Sequence, residues 1–271
     1  MAIPIRPVTR SRPKPDTAEF PVLIRLLGSF QVLHHGVAIS LRSNGKTEAL
    51  LCRLALRSSQ GVLRDALVEA IWPNVEHDLA VQSLHSLIYA LHRQLDGNLG
   101  GLAPILHEHG CYRLNLEAGI QVDVANFDAL AAAGHDHKRA GRTGAAIASY
   151  ERAVDFYRGD LYGGSDVQAM IERERLRALH LNMLSQLAEH RFNECNYDAC
   201  LRHALRLVEH ESCREDAHRL VMRCYVRRGE RAQALRQYRL CQEILRTEFD
   251  APPEPATVAL FDLVRLDPAS V

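Results

Sequence analysis

Four side chains carry the most specific chemistry in this chain of 271 residues: Gln82, Ser86, Tyr89 and Arg93. Their spacing of four, three and four residues sets them on one arc of a helix. Gln and Ser hydrogen-bond base edges, Arg takes guanine bidentately or a phosphate, and Tyr meets a phosphate or a thymine methyl. Three more cations are candidates for phosphate. Arg113 stands on a strand, where a cross-strand pair is the competing reading, and Lys46 and Arg64 lie near helix starts, where backbone N–H groups favour anions. His85 and His92 fall on the flank of the arc and read as packing residues, although a protonated His92 reaches a phosphate.

Other chemistries lack their residues. The fourteen histidines cluster at His34-His35, His107-Glu108-His109 and His135-Asp136-His137. If the strand carrying them is regular, His107 and His109 share a face. A closed zinc site needs further ligands at set spacing, and none is present, so no metal is expected. The seven cysteines are odd in number and never spaced Cys-x-x-Cys, which suits small core residues in a reducing cytoplasm. Asn44-Gly-Lys-Thr47 is only the tail of a phosphate loop, which excludes an ATPase-driven protein. No carboxylate pair or Ser/His/Asp set stands out, so the chain reads as a non-enzyme without cofactor. Glu172-Arg-Glu-Arg-Leu-Arg177 spaces opposite charges for a solvated salt-bridge face.

The elements that position the arc follow from periodicity. Arg64–Trp72 reads as a helix, Pro73-Asn74 breaks it, and Asp78–Leu95 is a second helix with Ala80, Val81, Leu84, Leu87, Ile88, Leu91 and Leu95 on its apolar side. A Gly-rich turn leads to a hairpin of Ile105–Leu106 and Tyr112–Leu116 around His107–Gly110. Helix, turn, helix and hairpin is the order of a winged helix-turn-helix, whose second helix lies in the DNA major groove. Short strands at Val22–Leu27, Phe30–Leu33 and Val37–Leu41, then a helix over Lys46–Ser58 preceded by Ser43-Asn44-Gly45, give the response-regulator variety.

Beyond Asn126 only helical patterns remain, broken at His135–Thr143, Arg158–Asp166, Asn193–Asn196, Glu211–Arg214 and Gly229-Glu230. Gly229…Ala234…Tyr238…Cys241 repeats Cys195…Cys200…Ala204…Leu207 at 34 residues, the tetratricopeptide period. Gly141…Ala146…Tyr150…Ala153 fits the same frame after an insertion of about twenty residues. The fold class is therefore mostly α with a small β component. Residues 1–20 read as a flexible basic tail or a DNA-contacting arm, 21–118 as the winged helix-turn-helix, 119–265 as an all-α tetratricopeptide-like domain and 266–271 as a tail. No apolar run approaches the roughly 20 residues of a membrane helix, and the N-terminus is no secretory signal. Thirty-three basic and thirty-three acidic residues cancel, and residues 20–118 hold eight of each. That neutrality predicts weak or partner-assisted DNA binding, because phosphate contacts dominate affinity.

The chain resembles the Streptomyces antibiotic regulatory protein type of transcriptional activator, a winged helix followed by a bacterial transcriptional activator domain. The resemblance rests on pieces kept in order over residues 22–262. In the first domain they are Leu26-Leu27-Gly28-x-Phe30, Lys46–Leu51, Arg64-Asp-x-Leu67, Ile71-Trp72-Pro73, Ala80-x-x-Ser-Leu84, Leu91-x-Arg93-x-Leu95 and Tyr112-Arg-Leu114. Val122-Asp-Val-x-x-Phe127 marks the junction. Tyr157-Arg-Gly-Asp-Leu161, Glu172-Arg-Glu-Arg175, Gly229-Glu-Arg-Ala-x-Ala234 and Pro252-Pro-x-Pro255 follow. Family members carry two adjacent basic residues late in the second helix where this chain has His92-Arg93. They place Gly directly before Tyr-Arg-Leu where it has Cys111. The resemblance implies double-stranded DNA as partner, promoter repeats as sites and activation by contact with RNA polymerase. It leaves a second protomer or a small-molecule effector for the helical surface. Two rival readings stay open: a protein-interaction adaptor with a weakened winged helix, and a ligand sensor using a helical groove.

Overall fold

The structure is a computed structural model that describes residues 21–41, 45–58, 60–95, 99–164 and 167–271. The basic tail 1–20 and Ser43-Asn44 lie outside the described residues. Contacts divide the chain into two compact units: one runs up to Ala129 and includes Asp155–Glu172, the other joins Leu130–Val154 to Arg173–Val271.

The first unit opens with the three short strands read from the sequence, β1 (Val22–Arg25), β2 (Gln31–His34) and β3 (Val37–Ile39), which pair as an antiparallel meander. The helix α1 (Lys46–Leu56), the short β4 (Val62–Leu63), α2 (Arg64–Ile71) and α3 (His77–Leu95) follow, then β5 (Ile105–Glu108), β6 (Cys111–Leu114) and β7 (Ile120–Val122). One sheet has the order β3-β2-β1-β7 with β7 parallel to β1, and the other has the order β4-β6-β5. The strands β4 and β7 are too short for alternation to reveal them. Leu50, Leu51, Leu54, Leu67, Leu84, Leu91 and Leu114 form the buried centre between helices and hairpin.

Where β1 ends, the backbone N–H groups of Leu26 and Leu27 both donate to the Asp123 carboxylate at 2.8 Å. Asp123 is itself buried at the start of α4 (Asp123–Arg139) and also accepts from Val124 N at 2.8 Å. Beside this junction the segment Tyr157–Leu161 returns to the first sheet. Leu161 bridges Leu27, Gly28 N donates to Asp160 O at 3.0 Å, and Tyr162 N donates to Leu26 O at 2.7 Å. Gly28 and Gly159 meet there so closely that a Cβ on Gly159 would stand 3.0 Å from the Gly28 Cα. Two motifs some 130 residues apart in sequence are thus one structural joint, and the insertion inferred between repeats is what supplies its second half.

After α4 come α5 (Thr143–Phe156), α6 (Val167–Asn193), α7 (Tyr197–His210), α8 (Glu215–Arg227), α9 (Arg231–Phe249) and α10 (Pro255–Leu266), which make up the second unit apart from Asp155-Phe156 and Val167–Glu172. The three repeat starts have the same cap. Gly141, Cys195 and Gly229 take φ of 71°, 58° and 78°, each donating to the carbonyl three residues back, while the next residue donates five back. That is the Schellman arrangement. The residues that follow at matching positions are buried: Ala146, Tyr150 and Ala153; Cys200, Ala204 and Leu207; Ala234, Tyr238 and Cys241. The helical repeat read from the sequence is therefore present. The break expected at His135–Thr143 is shorter, because α4 runs to Arg139 and only the Gly141 cap stops it; His135, Asp136 and His137 are helical.

Two predictions follow from these joints. Cys195 is an L-residue in the left-handed region where its two counterparts are glycine, so Cys195→Gly should stabilise the protein by about 1 kcal/mol, read as a raised urea midpoint. Burial pushes the Asp123 pKa up to about 6, against the downward pull of its three N–H donors. The folded state then holds this proton more tightly than the unfolded chain. The contribution of Asp123 is complete below about pH 4 and is lost as pH rises through 6, by roughly 3 kcal/mol at most. The stability difference between the natural protein and Asp123→Asn, measured by urea unfolding, should shrink over that window and stay flat outside it.

Candidate nucleic-acid interface

The turn between α2 and α3 is built by the sequence punctuation. Trp72 N donates to Val68 O at 2.8 Å and closes α2, Pro73 follows, and Val75 N donates to Trp72 O at 3.2 Å. Trp72 is buried, as an anchor should be, and Lys46 Nζ lies 5.0 Å from its ring centroid. On α3 the core side is Ala80, Leu84, Ile88, Leu91 and Leu95, all buried, with Val81 and Leu87 half-buried beside them. The opposite side presents Asp78, Gln82, His85, Ser86, Tyr89 and Arg93, all exposed.

All four arc residues singled out from the sequence thus share one solvent face. No hydrogen bond or ion pair to their side chains is found among the described residues. His85 differs from expectation: it is exposed on the same arc, since residue 85 lies nearer in angle to Asp78 and Tyr89 than to Leu84 and Ile88. His92 is half-buried, as a flank residue should be. Ser83 turns its hydroxyl onto Leu79 O at 2.8 Å and offers less outward. The face runs from acidic Asp78 in the first turn to Arg93 in the last, in the sense that complements the helix dipole.

The hairpin β5–β6 turns at His109 and Gly110, whose φ of 51° and 78° are both positive, the two-residue geometry that suits a twisted hairpin. His109 is therefore a turn residue and does not share a strand face with His107, which stacks on Tyr112 with ring centroids 4.2 Å apart. Among the described residues no group of three metal-ligating side chains gathers. The turn is tied to α2 by Arg64 N donating to Gly110 O at 2.9 Å. Behind it Gly61 packs so tightly that a Cβ would meet Tyr112 O at 3.0 Å.

The other three candidate cations are occupied. Arg113 Nη2 meets Glu108 at 3.1 Å across the hairpin, so the cross-strand pair is formed, and Arg64 Nε meets Asp65 at 3.0 Å. Both pairs are exposed and worth less than about 1 kcal/mol each, so a phosphate can replace either carboxylate. Lys46 lies over Trp72. A groove of about 810 Å³ also opens in this unit, near Glu48, Arg53, Arg57, Leu63, Tyr162 and Ile171.

Comparison with known proteins agrees with this build. The bacterial transcriptional activator domain family matches residues 122–265. Transcriptional regulatory protein MoaR1 of Mycobacterium bovis and of Mycobacterium tuberculosis is 27% identical over 263 residues, covering 95% of this chain and 84% of the relative. Among solved structures, Mycobacterium tuberculosis EmbR in complex with low affinity phosphopeptide superposes with a TM-score of 0.65 at 22% identity, covering 93% of this chain and 68% of that one. The last likeness is one of fold.

Because the arc residues support nothing beneath them, removing them should leave the fold alone. Tyr89 is 67% exposed, and Gln82→Ala, Tyr89→Ala or Arg93→Ala should each change stability by no more than about 0.5 kcal/mol. Leu84→Ala, one helical step away on the buried side, should cost about 3 kcal/mol. Thermal unfolding of the four variants checks the contrast.

Proposed function

This chain belongs to the bacterial transcriptional activator domain family, and we propose that it regulates promoters by laying the exposed face of α3 in the DNA major groove. Transcription regulation of the Streptomyces antibiotic regulatory type is the common ground of the family match and the regulator relatives. The observation that carries the finer reading is the pairing, on one helix, of a fully buried arc with an exposed arc of base-reading side chains. Gln82 and Ser86 read base edges, Tyr89 contacts a methyl or phosphate, and Arg93 takes guanine or a phosphate at the basic end of the helix. Arg113 on the hairpin, with Lys46 and Arg64 behind it, contacts the flanking backbone. RNA polymerase and a second protomer are the partners the family build suggests for the helical repeat.

Eight basic and eight acidic residues over 20–118 limit the electrostatic part of binding. With at most four candidate cations, one protomer releases few counterions. A log K against log salt slope of about −4 or shallower is expected, at about −0.9 per phosphate contact. Arg93→Ala should weaken binding about tenfold, and Gln82→Ala should relax base preference while leaving the salt slope unchanged. Fluorescence anisotropy on a promoter fragment selected by the protein, at several salt concentrations, measures all three. Absence of binding at low salt, with the variants folded, removes the reading.

A further inference from the structure

The core of the second unit holds an arrangement that the reading of DNA does not use. Cys200 on α7 and Cys224 on α8 both have 0% exposure, and their sulfurs lie 3.2 Å apart, within hydrogen-bonding distance. Ala188, Leu201, Ala204 and Val221 pack around them. Neither thiol faces solvent, and the two helices that carry them are consecutive and pack against each other. Closing to a covalent bond of about 2.05 Å brings the sulfurs only about 1.1 Å nearer.

We propose that Cys200 and Cys224 are an oxidisable dithiol, converted by a hydroperoxide to a cystine that staples α7 to α8. The balance is two thiols and one hydroperoxide giving one disulfide, one alcohol and one water. The Cys224 thiolate attacks the peroxide oxygen and becomes a sulfenic acid, the departing alkoxide taking up the thiol proton. The sulfur of Cys200 then displaces the hydroxyl, which leaves as water with the Cys200 proton. Cys224 is the more acidic member. In its ionised form it accepts a hydrogen bond from Cys200, and Arg223 and Arg228 add positive charge nearby, so its pKa is held below the ordinary thiol value while that of Cys200 is raised. Of the other packed cysteines, burial pushes Cys52 up to about 12 and Cys241, which feels the nearby Cys213, up to about 11, and this keeps both protonated and unreactive. Because the pair is sealed in the core, its oxidation proceeds at the rate at which α7 and α8 open. The helical domain thereby gains two covalent states, a reduced hairpin free to open and an oxidised one that is fixed.

The test treats the intact protein with hydrogen peroxide and maps its cysteines by mass spectrometry without reduction. The expected product is a single Cys200–Cys224 linkage, two hydrogens lighter, reversed by dithiothreitol. It should raise the melting temperature by about 5 °C and persist in Cys195→Ser, which lacks the exposed thiol. The linkage should vanish in Cys224→Ala. If that variant fails to fold, the map of the natural protein decides alone. A linkage that uses Cys195, Cys111 or Cys213 instead overturns the proposal. Recovery of Cys200 and Cys224 as free thiols or as sulfinic acids, after the exposed thiol has reacted, also overturns it.

Discussion

Two backbone N–H groups, those of Leu26 and Leu27, are buried where β1 ends and point at the carboxylate of Asp123. Left without it, each would cost about 1–3 kcal/mol, a large part of what a domain of this size has to spare. The same carboxylate begins α4, and the residues it holds are those onto which Tyr157–Leu161 docks. One acid thus fixes the end of a sheet, the start of a helix and the seat of a distant segment. Its position in the stretch Val122-Asp-Val-x-x-Phe127 has a physical reason: the two carboxylate oxygens accept from both sheet-end amides and from Val124 N at once.

The helix α3 is held by a different principle, its division into two arcs. That division was legible in the sequence because an amphipathic helix of 19 residues carries a strong period, and the arc Gln82, Ser86, Tyr89, Arg93 emerged from it intact. The repeat was legible for a related reason. Helix caps need a left-handed residue, so Gly141 and Gly229 announce themselves, and Cys195 became visible only through the 34-residue frame. What stayed hidden was set by tertiary pairing. The strands β4 and β7 have two and three residues and exist only because β6 and β1 receive them. The turn at His109-Gly110 broke the regular strand that would have placed His107 and His109 together, whereas the exposure of His85 follows from its helical angle, nearer to Asp78 and Tyr89 than to Leu84 and Ile88.

Charge bears on the role proposed for α3. Arg64 and Arg113 are each engaged by a carboxylate and Lys46 by an aromatic face, so the winged unit presents little net field. On the proposed reading, selectivity comes from close contact and from a second anchoring partner more than from long-range attraction. The helical repeat, with its stacked pairs and exposed outer positions, is the part of the chain proposed for that second anchor.

The most direct measurement is genome-wide mapping of the DNA occupied by the intact protein, set beside a variant with Gln82, Ser86 and Arg93 replaced by alanine. If α3 reads the major groove, the natural protein occupies discrete promoter sites with a shared repeat, and the equally stable variant loses them. Occupancy that is absent in the natural protein, or unchanged in the variant, would contradict that role for α3.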